Sequence, residues 1–255
     1  MFDDPSYSEP VTIYESRIFN LFYDLHFTTG KEIKCFKHPI TNRYKIIKED
    51  YNNMKFYFYY LSDSLSLHRE NGPALIQTCN GIVLNEEYYK FNIPHRINGP
   101  QRILYSENKI RARYYSINGK LHRENNPAYT VYFPGTNKIH EEIYYICGKK
   151  YRENGPAHIS YNSHGTRCYE VWYKNNLFHR LDGPAVIECD FTDGQRTNSL
   201  WFLKGRPLDT DNLPIFERGK VVGKVKLTKA NVLKAFLFDR EYGDFAKQIY
   251  DKSKI

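Results

Sequence analysis

A histidine–arginine pair standing ahead of a glycine–proline turn recurs along this chain. Imidazole can ligate a metal or move a proton, and a guanidinium can bind an anion through two parallel hydrogen bonds. The pair opens a motif, His-Arg-x-Asn/Asp-Gly-Pro-Ala, whose arginines lie 27, 27, 29 and 28 residues apart. The five motifs are Leu67–Ala74, Pro94–Gln101, Leu121–Ala128, Lys150–Ala157 and Phe178–Ala185. A period of this kind predicts a repeat protein.

The spacing of the motif histidines argues against a shared metal site. If each repeat contributes two strands, equivalent side chains lie roughly 9–10 Å apart, whereas the ligands of one metal lie within about 2.0–2.6 Å of it. Tyr151 also replaces the histidine in the fourth motif. We therefore expect no metal and no cofactor at His68, His95, His122 and His179.

Other reactive residues do not assemble into a catalytic pattern. The chain has no GxSxG, no HExxH and no phosphate-binding glycine loop. His140 and His164 stand in or beside turns, Cys168 has no evident catalytic partner, and the five cysteines form no CxxC pair. We expect no catalytic residue and no enzyme.

The motif arginine is the non-turn residue common to all five copies: Arg69, Arg96, Arg123, Arg152 and Arg180. Its donors could bind turn carbonyls of its own or the adjacent repeat while its stem covers a tyrosine. Alternatively, the row could read a polyanion, which the net charge of +8 and the pI near 9.0 would allow. In three of the five motifs the residue after the arginine is acidic and would neutralise its charge: Glu70, Glu124 and Glu153. The structural role, in which one arginine stabilises each repeat, is therefore favoured.

Glycine and proline define the turn that follows each arginine. Glycine precedes proline in four motifs, where it can adopt backbone angles that other residues avoid, and Asn126 takes its place in the third. The proline is expected to be the first residue of a strand. The residues concerned are Gly72, Gly99, Gly155, Gly183, Pro73, Pro100, Pro127, Pro156 and Pro184.

Further turn signals divide each repeat into two strands. One turn follows the motif by about ten residues, and an aromatic pair and a third turn precede the next motif. The second-turn signals are Asn80-Gly81, Asn108-Lys109, Pro134-Gly135, His164-Gly165 and Asp193-Gly194. Short β-branched and aromatic segments with such turns predict antiparallel strands. The expected fold is mainly β, an elongated antiparallel β-hairpin repeat array with a short C-terminal α-helical cap.

The expected organisation has three parts. Residues 1–40 form an N-terminal cap with a hairpin of Ile18–Phe27 and Lys31–Phe36, and residues 41–209 form the array, beginning with a degenerate repeat at Thr41–Leu61. Residues 210–255 form a linker and a helical cap, because Thr228 can cap a helix whose apolar residues recur at helical spacing.

The motif, with an aromatic pair upstream, resembles the MORN-like repeats of large DNA viruses and some phages, over about Arg43–Gly205. The resemblance implies a repeated-hairpin scaffold with an interaction or membrane-apposition role. We expect a non-catalytic scaffold for protein–protein interaction; the alternative is a sequence-independent binder of nucleic acid or anionic lipid. Without a signal peptide or an apolar span, we expect an intracellular, reducing location: host cytoplasm, virus factory or virion if the protein is viral.

Overall fold

A computed structural model describes residues 9–10, 30–38, 40–41, 43–50, 52–61, 64, 66–180, 183–192, 194–208, 213–217 and 220–225. Within these residues the protein is mainly β and contains no helix. The chain divides into two compact units, Met1–Gly148 and Lys149–Ile255. We call them the N-terminal and C-terminal units and describe each by itself.

The N-terminal unit is an antiparallel meander in which each long strand pairs with the next. Its long-sheet strands are Glu9–Pro10, Gly30–Lys37, Arg43–Asp50, Met54–Leu61, Leu75–Cys79, Ile82–Glu87, Arg102–Ser106, Lys109–Tyr114, Tyr129–Tyr132 and Ile139–Ile143. Ser66–Leu67 pairs with the end of the fourth of these strands. Shorter strands follow at Tyr89–Lys90, Ile93–Pro94, Ser116–Ile117, Lys120–Leu121 and Tyr145–Ile146.

The C-terminal unit repeats the same plan. Its meander runs through His158–Tyr161, Arg167–Val171, Val186–Cys189, Arg196–Leu203 and Arg206–Leu208. Its shorter strands are Lys149–Lys150, Tyr173–Lys174 and Leu177–Phe178. A separate hairpin of Leu213–Glu217 and Lys220–Val225 lies in the segment expected to be a linker.

The predicted mainly-β antiparallel meander is confirmed. Lys31–Phe36 is extended as expected, within Gly30–Lys37, and it pairs with Arg43–Asp50. Ile18–Phe27 and the C-terminal helical cap from Thr228 lie outside the described residues.

The second and later repeats also contain a short second hairpin next to the long one. Its two-residue turn has positive φ at both positions, as in Asn118 (51°) and Gly119 (75°), which is typical of the type I′ turns that suit twisted strands. Such turns were expected at Asn118-Gly119, Cys147-Gly148 and Asn175-Asn176, and the structure adds Phe91-Asn92. The turn predicted at Asn108-Lys109 is shifted by one residue, because Glu107 and Asn108 take positive φ and Lys109 begins the strand.

A β-bulge interrupts the second long strand of each repeat. The register shift inserts one extra residue three to five places after the second turn, and bulges increase local twist. The extra residues are Leu84, Arg111, His140, Cys168 and Thr197. Because they recur at the repeat period, the twist that they add recurs in every repeat.

Burial marks two parts of the interior. A cluster of Cys35, Tyr44, Ile46, Phe58 and Tyr60 packs on one face of the first long strands. The alanine that closes the motif is fully buried in four copies, where its methyl group leaves room for close packing. These alanines are Ala74, Ala128, Ala157 and Ala185.

Candidate interaction surface

Arg69, Arg96, Arg123 and Arg180 each lie over an aromatic ring. The ring stands eight residues before the arginine, or ten in the first repeat, and in the second and later repeats it lies between the long strand and the short hairpin. The guanidinium carbon is 3.9 Å from the ring centroid for Arg69 over Tyr59, and 3.8 Å for Arg96 over Tyr88, Arg123 over Tyr115 and Arg180 over Trp172. Stacking at this distance is a favourable cation–π contact.

The same guanidinium donates a hydrogen bond to its own turn. Nη1 binds the carbonyl oxygen of the motif proline, four residues on, in every repeat. The distances are 3.3 Å to Pro73, 3.1 Å to Pro100, 3.3 Å to Pro127, 3.4 Å to Pro156 and 3.3 Å to Pro184. The arginine therefore stabilises the turn of its own repeat.

The turn glycine makes room for this guanidinium. Gly99 has a φ of +155°, and a Cβ built there would lie 2.8 Å from Cζ of Arg96. Gly183 would meet Arg180 at the same distance. A Cβ at this position therefore requires the guanidinium to shift; in the third motif Asn126 stands there, and Arg123 still lies 3.8 Å from the Tyr115 ring centroid.

Two expectations about the turn were wrong. In the third motif the positive φ (57°) belongs to Asn125 and not to Asn126. The proline is not the first strand residue: the strands begin two residues later, at Leu75 and Arg102 for example. The reason is that the proline carbonyl is occupied by the arginine, and ladder bonding starts at the next residue, where the Ala74 N–H donates to the Glu87 carbonyl oxygen.

Three of the four motif histidines connect one repeat to the next, which the sequence did not indicate. In these three, Nδ1 accepts a hydrogen bond from the backbone N–H of the first residue in the next short turn, whereas Nδ1 of His68 is buried without a hydrogen-bond partner in the described part of the chain. The pairs are Asn118 N–H to His95 at 3.3 Å, Cys147 N–H to His122 at 3.1 Å and Lys204 N–H to His179 at 3.2 Å. Accepting at Nδ1 requires the neutral tautomer that carries its proton on Nε2.

A parallel row of backbone bonds joins the same short turns. The second turn residue donates its N–H to the carbonyl oxygen of the residue just before the histidine position of the preceding motif. This bond measures 2.9 Å from Gly119 to Pro94, 2.8 Å from Gly148 to Leu121 and 2.9 Å from Gly205 to Phe178. Where the second turn residue is asparagine, its side-chain oxygen also accepts a hydrogen bond, at 2.6 Å from the Leu67 N–H to Asn92 and at 2.6 Å from the Lys150 N–H to Asn176.

A groove of about 450 Å³ opens between the second and third motif loops. We call it the Arg96–Arg123 groove. Both arginines line it, together with Ile97, Ile117 and His122. Ile97 is 76% exposed, so the groove offers apolar and cationic contacts side by side.

Basic side chains occur on both faces of the N-terminal sheet. Because successive strand residues point to opposite faces, Arg102 and its cross-strand partner Tyr114 share one face, and Ile103 and Arg113 share the other. Glu87 binds Arg102 at 3.2 Å on the first face. Glu86 lies opposite Ile103 on the second. Neither face of these strands is purely basic.

Two of the residues that could carry chemistry, His140 and Cys168, are bulge residues of long strands. The His140 ring packs edge-on against Phe133 at 4.7 Å. Cys168 is buried, with its thiol 3.4 Å from the Thr166 carbonyl oxygen. Within the described part of the chain, no group of three or more His, Cys, Asp or Glu side chains is placed to hold a metal ion, and no helix is long and apolar enough to cross a membrane.

Comparisons with protein-family models, with curated proteins and with solved structures gave no match to this chain. Its fold and its contacts are therefore the basis for any statement about function.

Proposed function

We propose that this protein is a non-catalytic repeat scaffold that mediates protein–protein interaction. The observation that carries the proposal is the exposure of large apolar side chains on the motif loops and short hairpins: Ile97, Phe91 and Ile93 are 76%, 52% and 47% exposed. Apolar groups exposed together beside polar ones are typical of protein-binding surfaces. The MORN-like resemblance supports the same role and suggests a viral structural or host-interaction protein, in the cytoplasm, virus factory or virion.

The distribution of charge weighs against the alternative, a sequence-independent binder of nucleic acid or anionic lipid. The net charge of +8 favours a polyanion. A polyanion, however, binds best to a continuous basic face, and Arg102 and Arg113 lie on opposite faces with Glu87 and Glu86 among their neighbours. The motif arginines are held by rings and turn carbonyls, which supports a structural role for them.

Capture of partner proteins from cell extract tests the proposal, provided that nucleic acid and lipid are removed from the extract. The full chain is immobilised, with a basic protein of equal net charge as the control bait. Extract is applied with and without nuclease and non-ionic detergent, and bound proteins are quantified by mass spectrometry. A scaffold retains specific protein partners after both treatments. Loss of all partners on nuclease or detergent treatment, or an identical set on the control bait, would contradict it.

A further inference from the structure

We propose that the Arg96–Arg123 groove binds an acidic peptide in which carboxylates flank apolar residues. This proposal rests on the proposed scaffold function and identifies the partner chemistry of one site. The groove lies wholly within the N-terminal unit, between two successive motif loops. Its volume of about 450 Å³ is within the range of ligand-binding clefts.

The two guanidiniums of the groove have hydrogen-bond donors that no protein acceptor uses in the described part of the chain. Among the described residues, the side chains of Arg96 and Arg123 each donate one hydrogen bond, through Nη1 to Pro100 and Pro127. Their Nε and Nη2 groups have no acceptor in the described protein. The rings beneath them and the hydrogen bonds to the proline carbonyls hold both guanidiniums in place, so little conformational entropy is lost when a carboxylate binds.

His122 adds a further donor. Its Nδ1 accepts the Cys147 N–H, which places the imidazole proton on Nε2. Because His122 lines the groove with the two arginines, three side chains there can donate to an anion. Glu124 is the one carboxylate among the lining residues, and it forms no ion pair in the described part of the chain.

Ile97 distinguishes this groove from the equivalent position in the first, third and fourth motifs, whereas the fifth motif has Leu181 there. In the first motif that position is Glu70, whose carboxylate binds the Arg43 guanidinium 3.1 Å away. Glu124 and Glu153 occupy it in the third and fourth motifs. Ile97 instead removes a negative charge and exposes an apolar side chain beside the groove, which favours a ligand that is both acidic and apolar.

The spacing of the repeats suggests the form of the peptide. One repeat advances the sheet by two strands, so the two guanidiniums lie roughly 9–10 Å apart. A polyproline II segment rises about 3.1 Å per residue and returns to the same face after three residues, a step of about 9 Å. Glutamates at positions i and i+3, with proline and leucine between them, therefore match the two arginines.

Fluorescence anisotropy with defined peptides tests the proposal on the full chain. The probe is a labelled nonapeptide containing Glu-Pro-Leu-Glu. The comparison peptides contain Lys-Pro-Leu-Lys, or the same residues as the probe with the glutamates adjacent. We expect saturable binding of the probe, at least fivefold weaker binding of the adjacent-glutamate peptide and none of the lysine peptide.

Ile97→Glu is the decisive variant, because glutamate stands at the same position in three other motifs and the fold accepts it there. It should weaken binding of the probe at least tenfold, while Glu124→Gln should strengthen it about threefold. Ile82→Glu is the matched control, since Ile82 is also an exposed isoleucine (46%) but lies outside the groove. It should leave binding unchanged.

Absence of saturable binding, or equal loss in Ile97→Glu and Ile82→Glu, would overturn the groove assignment. The proposed function is tested separately by capture from extract with the same two variants. If both variants still retain the partners of the unmodified chain, the scaffold function stands and the groove is not its binding site. If the unmodified chain retains none, the scaffold function itself is wrong.

Discussion

At the residue scale, the motif residues act on one another within a single turn. In the second motif, for example, Arg96 stacks on the Tyr88 ring and binds the Pro100 carbonyl, and Gly99 leaves the space that the guanidinium fills. The repeated arginine could be recognised from the sequence because it never varies among the five motifs. The histidine contact could not, since its partner is a backbone N–H that residues as different as Asn118, Cys147 and Lys204 supply.

The arginine contact is tested by replacing Arg123 with alanine. The variant loses a charged hydrogen bond to Pro127 and the stacking on Tyr115, so we expect the free energy of unfolding to fall by about 2 kcal/mol in urea denaturation. Arg123→Lys should recover little, because an ammonium cannot reproduce the planar stacking. Arg167→Ala is the control: its guanidinium binds Glu170 at the surface, and its loss should cost within about 0.5 kcal/mol. Unchanged stability of Arg123→Ala would refute the structural role.

The histidine contact makes stability depend on pH. Burial, then the nearby Lys174 and Lys204, lower the pKa of His179 from 6.5 to about 4. The unfolded chain therefore takes up a proton near pH 6.5 while the folded protein does not. The stabilisation is complete above pH 6.5 and is lost as pH falls towards 4.

Urea denaturation between pH 7.5 and pH 4 measures this effect. His179→Tyr is the matched variant, since Tyr151 occupies the same position in the fourth motif. It should show a smaller loss of stability with falling pH than the parent protein. A residual dependence is expected, because burial also lowers the pKa of His68. Equal slopes in both proteins would show that His179 is not buried as a neutral acceptor.

At the scale of the elements, turns were predictable and bulges were not. Asn-Gly and similar pairs adopt positive φ readily, and they located the short hairpins at Asn118-Gly119, Cys147-Gly148 and Asn175-Asn176 but not the one at Phe91-Asn92. The bulge residues Leu84, Arg111, His140, Cys168 and Thr197 share no chemical type. An extra strand residue is set by the register between two strands, which no local sequence signal records. The C-terminal hairpin was missed because Leu213–Val225 lies outside the repeat period.

The small side chain of the alanine that closes the motif allows the strands to pack closely, so a larger side chain should destabilise the fold. Ala128 is fully buried, so Ala128→Leu should lower the free energy of unfolding by about 1–3 kcal/mol through overpacking. Asn137→Leu adds the same side chain at an exposed turn and should stay within about 0.5 kcal/mol of the parent. Thermal and urea unfolding of both variants measure the difference. Equal stabilities would mean that the alanine position tolerates bulk.

At the scale of the whole molecule, one net charge is compatible with two functions. The value of +8 would suit a polyanion binder, yet basic and acidic side chains share both faces of the N-terminal sheet. The sequence alone could not distinguish a polyanion binder from a protein scaffold. The face that a side chain occupies depends on the strand register and on each bulge. The structure supplies that register, and we infer from it a scaffold for protein partners.

Binding of duplex DNA at two salt concentrations tests this inference most directly. Fluorescence anisotropy of a labelled duplex is measured with the full chain at about 50 mM and about 150 mM salt. Diffuse charge predicts weak association at the lower concentration and none at the higher, because few phosphates are neutralised together. Submicromolar binding at the higher concentration, with a steep decrease as salt is raised further, would show a basic binding face and contradict the scaffold.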